Sequence, residues 1–185
     1  ANSFILFADG QFLAETDRYP TQPGKVSSSH NTILVNGLGQ AAKGRPEGDE
    51  WQQPSDSDMS KMGVITAVKD TANVVAVEGE AAGSYLAYTD PKTHKSRPAL
   101  DRFRRDFIWV KNGYLLVLDD IRSPDLVDIT WLMQGGKLQP VDQAQGRYTL
   151  SKAGAQCDFQ LLADAPFKPV IGESTANNHG KLMGW

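Results

Sequence analysis

The stretch that decides the fold is Arg102-Phe-Arg-Arg-Asp-Phe-Ile-Trp-Val-Lys-Asn-Gly-Tyr-Leu-Leu-Val-Leu-Asp-Asp-Ile121. Its first half alternates. Strand geometry puts Arg102 and Arg104 on one face, and Phe103, Arg105, Phe107 and Trp109 on the other. No apolar stripe recurs at helical spacing. Asn112-Gly113 marks the reversal, being the residue pair that two-residue type I′ hairpin turns favour. Tyr114–Leu118 is apolar on both faces, the pattern of a central strand covered on both sides. The stretch reads as a long β-hairpin.

The same rhythm extends along the chain. Ser3–Phe7 and Phe12–Glu15 flank Asp9-Gly10, a second hairpin signal. Asn31–Asn36 is a short β-branched run closed by Gly37 and Gly39. Met62–Val68 and Val74–Glu78 form a further pair, turning near Asp70–Asn73. Val127–Met133, Arg147–Ser151 and Gln156–Leu162 complete the set. Pro98–Arg105 is the best helix candidate, but it lacks a 3.6-residue stripe and leads into the aromatic alternation, so it too reads as strand. Roughly ten strands with Gly- and Asp-rich turns predict an all-β fold, an antiparallel β-sandwich spanning residues 1–185 as one domain. Ala41–Met59 and Thr89–Pro98 break the rhythm and read as loops. The first is long enough to suggest function or disorder.

Composition narrows the partners. The 185 residues carry 19 basic and 22 acidic side chains, a formal net charge of −3. That balance lacks the basic stripe of a nucleic-acid binder. No apolar run approaches the roughly 20 residues that span a bilayer as a helix. One cysteine, Cys157, excludes an internal disulfide and a cysteine-built zinc site. There is no Gly-x-Ser-x-Gly elbow, no Gly-x-x-x-x-Gly-Lys loop and no His-Glu-x-x-His pair, which disfavours hydrolase nucleophiles and nucleotide chemistry. No signal peptide is visible in the opening residues, which already read as strand, so the chain is expected to be a piece of something larger.

Few residues are left to carry chemistry. His30 stands between Ser27-Ser28-Ser29 and a strand. It suits a metal ligand, a general base or a charge-neutralising donor, and equally a hydrogen-bonded histidine at a strand start. His94 and His179 read as solvated. Glu15 and Asp17 lie upstream of His30 and could join it at a metal, though their spacing matches no established ligand pattern. Arg102, Arg104 and Arg105 form the densest basic patch. A guanidinium fork suits carboxylate or sulfate recognition, while the plainer reading is a solvated face with one paired arginine. Trp51 suits stacking on a sugar ring or anchoring its own loop.

A resemblance adds to this reading. Ser29-His-Asn-Thr-Ile-Leu-Val-Asn-Gly-Leu-Gly-Gln40 resembles the His-Asn-Thr-(hydrophobic)-Val-(Asp/Asn)-Gly-x-x-Gln segment of heparinase II/III-like polysaccharide lyases, a group that includes alginate and oligoalginate lyases. Asn2-Ser-Phe-Ile-Leu-Phe-Ala-Asp-Gly10 resembles the strand that follows a His-x-His-x-Asp motif there. Leu13 through Tyr19 resembles the next strand, and Glu78-Gly-Glu-Ala-Ala-Gly-Ser-Tyr85 a Gly-(Asp/Glu)-Ala-x-x-x-Tyr stretch. Arg104-Arg105 together with Tyr114–Asp119 resembles the family's long hairpin. The likeness covers residues 1–135, and its His-Asn-Thr block is the most specific part.

The resemblance implies the β-sandwich half of a lyase whose other half is an N-terminal α/α-toroid, and β-elimination on an anionic, uronic-acid polysaccharide. That chemistry needs the uronate carboxylate neutralised, a base for the C5 proton and an acid for the departing O4. It further implies a zinc ion held by His30, by Asp17 or its rival Glu15, and by a ligand outside the chain. Tyr19 is implied as the catalytic tyrosine, and Asn31 and Gln40 as groove-lining, substrate-binding residues; Arg105 joins them as the expected carboxylate-binding arginine of the basic patch. The family's Asp-x-Gly-Tyr reads Asp17-Arg-Tyr19 here, without the glycine, which leaves the register of the acidic ligand open. A periplasmic or secreted location follows from the same likeness. Two other functions remain open: a non-catalytic carbohydrate-binding sandwich, with Trp51 and the arginine strand as its face, and a scaffold domain that buttresses a partner.

Overall fold

The structure is a computed structural model. It describes residues 2–14, 27–40, 62–89 and 96–172. Antiparallel β-strands are the main regular structure of the described residues, with three-residue 3₁₀ turns as their only helical elements. The all-β reading therefore holds. The chain divides into two compact units, residues 1–2 with 34–129, and residues 3–33 with 130–185.

The first unit is organised by a four-stranded sheet in the order β4-β5-β8-β9, from Val64–Asp70, Val74–Glu80, Arg102–Val110 and Leu115–Arg122. β5 lies opposite β8 in unbroken register, Val74 facing Val110 and Glu80 facing Arg104. β8 lies opposite β9 from Arg102 facing Arg122 to Trp109 facing Leu115. A 3₁₀ turn at Ala82–Ser84 follows β5. Glu80 fixes that turn, its Oε1 accepting from the backbone nitrogens of Ala82 at 2.8 Å and Phe103 at 2.9 Å. Tyr85, Leu100 and Phe103 are fully buried beside it, and the Tyr85 and Phe103 rings meet edge to face at 5.7 Å. β6 (Leu86–Thr89) pairs with β7 (Ser96–Pro98), so both ends of the expected Thr89–Pro98 loop are strand.

The second unit opens with the hairpin of β1 (Leu6–Ala8) and β2 (Gln11–Ala14). Asp9 and Gly10 both take positive φ, 50° and 75°, as the expected turn requires. Its larger sheet has the order β11-β12-β13, from Lys137–Asp142, Arg147–Lys152 and Ala155–Gln160. Leu13, Ala14, Leu150 and Ala155 form its core. The Tyr148 and Phe159 rings stack across β12 and β13 at 5.4 Å. β3 (Ile33–Val35) and β10 (Ile129–Trp131) pair as a two-stranded sheet, and the division into units falls within both strands.

Two expectations need correction. Tyr114–Leu118 is not the interior of a sheet. β9 pairs only with β8 among the described residues, and Leu115, Leu116 and Leu118 are 38%, 41% and 49% exposed. Apolarity on both faces reflects β propensity as well as cover. The Asn112-Gly113 turn is also not type I′. Asn112 alone takes positive φ, 61°, and Gly113 N donates to Val110 O across a turn that includes Lys111.

Candidate functional site

His30 is half-buried at the end of the 3₁₀ turn Ser27–Ser29. Its backbone nitrogen donates to Ser27 O at 3.0 Å, and its carbonyl accepts from Thr32 N at 2.9 Å. Thr32 O in turn accepts from Leu132 N at 2.9 Å. Two buried amides flank this segment. Asn31 is completely buried, donates from Nδ2 to Phe4 O at 2.9 Å, and accepts at Oδ1 from Gln134 N. Gln134, 1% exposed, donates from Nε2 to Ser28 O at 2.8 Å. Burying an amide is costly unless its groups are bonded, and here the bonds go to backbone on both sides of His30. Gln134 carried no signal in the sequence, because one glutamine after a short apolar strand looks like any surface residue.

These contacts change the role of Asn31. It was expected to line a substrate groove, but its amide is inaccessible and committed to Phe4 and Gln134. It shapes the His30 turn instead. Gln40, also expected at the groove, belongs to the other unit. It is half-buried and donates from Nε2 to the Tyr85 phenol oxygen at 3.1 Å.

Arg105 likewise departs from its expected place. Its side chain has no exposure, and it forms a two-pronged pair with Asp119: Nε to Oδ1 at 2.6 Å and Nη2 to Oδ2 at 2.7 Å. Nη1 donates to Asn2 O at 2.6 Å, and the guanidinium lies 5.2 Å from the Phe103 ring centre. Asn2 closes the network by donating to Gly79 O at 3.1 Å and Phe103 O at 3.0 Å. A Cβ at Gly79 would lie 2.5 Å from Asn2 Oδ1 and would displace the Asn2 amide from its present contacts. Residues that carried the resemblance at Asn2, Gly79, Arg105 and Asp119 thus form one buried structural network. The guanidinium is the paired arginine of the plainer reading, with no open face for a substrate carboxylate.

The other basic residues of the patch are half-exposed and charge-paired. Arg102 donates to Asp120 at 2.6 Å, and Arg104 lies 3.5 Å from Glu78. Asp106 faces Glu78 across β5 and β8. Burial first, then the Glu78 charge, raises the Asp106 carboxyl above its ordinary range, and Arg104 only partly offsets this. Burial first, then the Asp158 charge, raises the Cys157 thiol above its ordinary value and favours its protonated form.

Glu15, Asp17 and Tyr19 lie outside the described residues, as do Trp51, His94 and His179. Among the described residues no three His, Cys, Asp or Glu side chains gather as a metal site. His30 fits as a single nitrogen donor on a fixed backbone. An open catalytic zinc takes about three protein ligands, so the remainder would come from the segment holding Glu15 and Asp17 or from another chain region. No family model matches the chain, and no curated protein matches it significantly.

Proposed function

We propose that this chain is the β-sandwich part of a polysaccharide lyase that cleaves a uronic-acid polysaccharide, alginate- or heparin-like, by β-elimination, acting with an α/α-toroid domain. The observation that carries the reading is the His30 turn. The one sequence block with specific family character centres on a half-exposed imidazole, and its backbone is fixed from both sides by buried amides. Such fixation suits a residue whose ring must meet a ligand in one orientation. It also goes beyond what a strand-start histidine needs.

In this reading His30, with Asp17 or Glu15, holds zinc, which as a Lewis acid would supply positive charge near the uronate. Tyr19 exchanges a proton with the sugar at C5 or O4. Gln134 holds the Ser28 carbonyl before His30, and the Asn31 side chain after it bonds Phe4 O and Gln134 N. Arg105 takes no part in recognition, so neutralisation of the uronate falls to other groups.

The test is calorimetric titration of this chain with alginate and heparan sulfate oligosaccharides, alongside His30→Ala. The expected result is binding of one oligouronate that weakens in the variant, without bond cleavage by the isolated chain. Binding untouched by His30→Ala would favour a non-catalytic carbohydrate-binding module. Absence of any glycan binding would favour a scaffold.

A further inference from the structure

β9 is an edge strand with the sequence of an interior one. Among the described residues, β4, β9, β11 and β13 form the outer edges of the two larger sheets. Three of them carry features that discourage pairing with another chain. β4 has a register shift between Ile65 and Ala67 and carries Lys69. β11 contains Pro140, with a second shift beside it. β13 alternates exposed Gln156, Asp158 and Gln160 along its length. The first half of β9 has none of these. Its register with β8 is unbroken, and Tyr114–Leu118 holds no charge, no proline and no glycine. Both faces are open: Tyr114, Leu116 and Leu118 are exposed on one, and Leu115 on the other.

The backbone has a free side to match. Val110 N donates to Tyr114 O, so the polar groups of Tyr114, Leu116 and Leu118 turn toward β8, and those of Leu115 and Val117 turn outward. A two-fold axis centred on Leu116 would set Tyr114 opposite Leu118, Leu115 opposite Val117, and Leu116 opposite itself. Every one of these pairs is apolar. Moving the axis to Val117 sets Asp119 opposite Leu115, and moving it to Asp119 sets two carboxylates face to face, which is destabilising.

We propose that β9 pairs antiparallel with β9 of a second copy of this chain, across a two-fold axis at Leu116, joining two four-stranded sheets into one. Self-complementarity selects a second copy over another partner, because a two-fold contact uses the same patch on both sides. Leu115–Leu118 then become the interior strand that their sequence describes. The contact is one strand wide, so dimer exchanges with monomer and its share rises with concentration.

The experiment is analytical ultracentrifugation of the full chain over a concentration series, with the folding of each variant followed by circular dichroism. The wild-type mass is expected to rise toward twice that of the chain. Leu116→Lys and Leu116→Glu should each stay monomeric, since the axis sets like charges against one another. Their equimolar mixture should dimerise, since opposite charges then meet. Ile65→Lys, on the β4 edge, should leave the dimer unchanged. In a Cys157→Ser background, Leu116→Cys should cross-link on oxidation, because facing residues of a non-hydrogen-bonded pair lie within disulfide reach. Leu118→Cys, which faces Tyr114, should not. The cysteine variants decide if the charged ones do not fold. A wild type that is monomeric at every concentration would overturn the proposal. So would a dimer that survives Leu116→Lys, a mixture that stays monomeric, or cross-linking through Leu118→Cys equal to that through Leu116→Cys.

Discussion

Arg105 and Asp119 set the energetics at the scale of single residues. The guanidinium is wholly buried and its charge is matched by a carboxylate with 13% side-chain exposure. Removing one member strands the other. Asp119→Ala is expected to cost about 3–5 kcal/mol in urea denaturation, because the buried guanidinium loses its two-pronged carboxylate contact. Arg105→Lys should also destabilise, since an ammonium cannot reproduce the two-pronged contact. Neither change is expected to act through glycan contacts. Asp106 behaves oppositely. Its carboxyl is raised in the folded state by burial and by Glu78, so the folded protein holds this proton more tightly than the unfolded chain. The resulting penalty is absent below the ordinary carboxylate range and grows as pH rises through the raised value. Asp106→Asn should therefore increase the urea midpoint at neutral pH, with the gain vanishing below about pH 4. At this scale the sequence was only partly legible. Alternation separated Arg105 from Arg102 and Arg104, but no pattern along one strand could show that Asp119 sits opposite it. Asn31 was visible as part of a specific block, yet its burial depends on Phe4 and Gln134, which are far away in the chain.

At the scale of elements, turns and registers carry the argument. The Asp9-Gly10 hairpin was legible because both residues tolerate positive φ. β4, β5, β8, β9, β12 and β13 were legible from alternation and β-branched content. β11 was not, because it contains Pro140, and proline argues against a central strand. The structure accommodates Pro140 at the edge of the three-stranded sheet, with a register shift between Pro140 and Asp142. The exposure of β9 was illegible for a different reason: apolar residues report propensity, and cover is a property of neighbours. Gly135 shows a glycine required by packing. It bridges to Ala14, and a Cβ there would lie 2.3 Å from Leu13 O and 3.2 Å from Ala14 Cα. Both obstacles are backbone. Gly135→Ala should destabilise the chain by roughly 1–3 kcal/mol, measured by thermal or urea unfolding.

At the scale of the whole molecule, the mild net charge of −3 says little about an anionic substrate. Local pairing decides what a surface can bind. Three of its arginines illustrate this, because Arg102, Arg104 and Arg105 are each engaged with a carboxylate. On the proposed reading, the positive charge a uronate requires would come from a metal or from a second domain. The all-β class was legible throughout the chain. Of the expected site residues, His30 is half-buried, Asn31 and Arg105 are held in structural contacts, Gln40 donates to the Tyr85 phenol, and Asp17 and Tyr19 lie outside the described residues. The most direct test of the proposed lyase reading is the ultraviolet absorbance of unsaturated uronide formed when the protein, with any α/α-toroid that accompanies this chain, meets alginate or heparan sulfate. The account predicts a rise on one of these substrates that His30→Ala abolishes; no rise on any uronic-acid polysaccharide, or a rise that His30→Ala leaves intact, would contradict it.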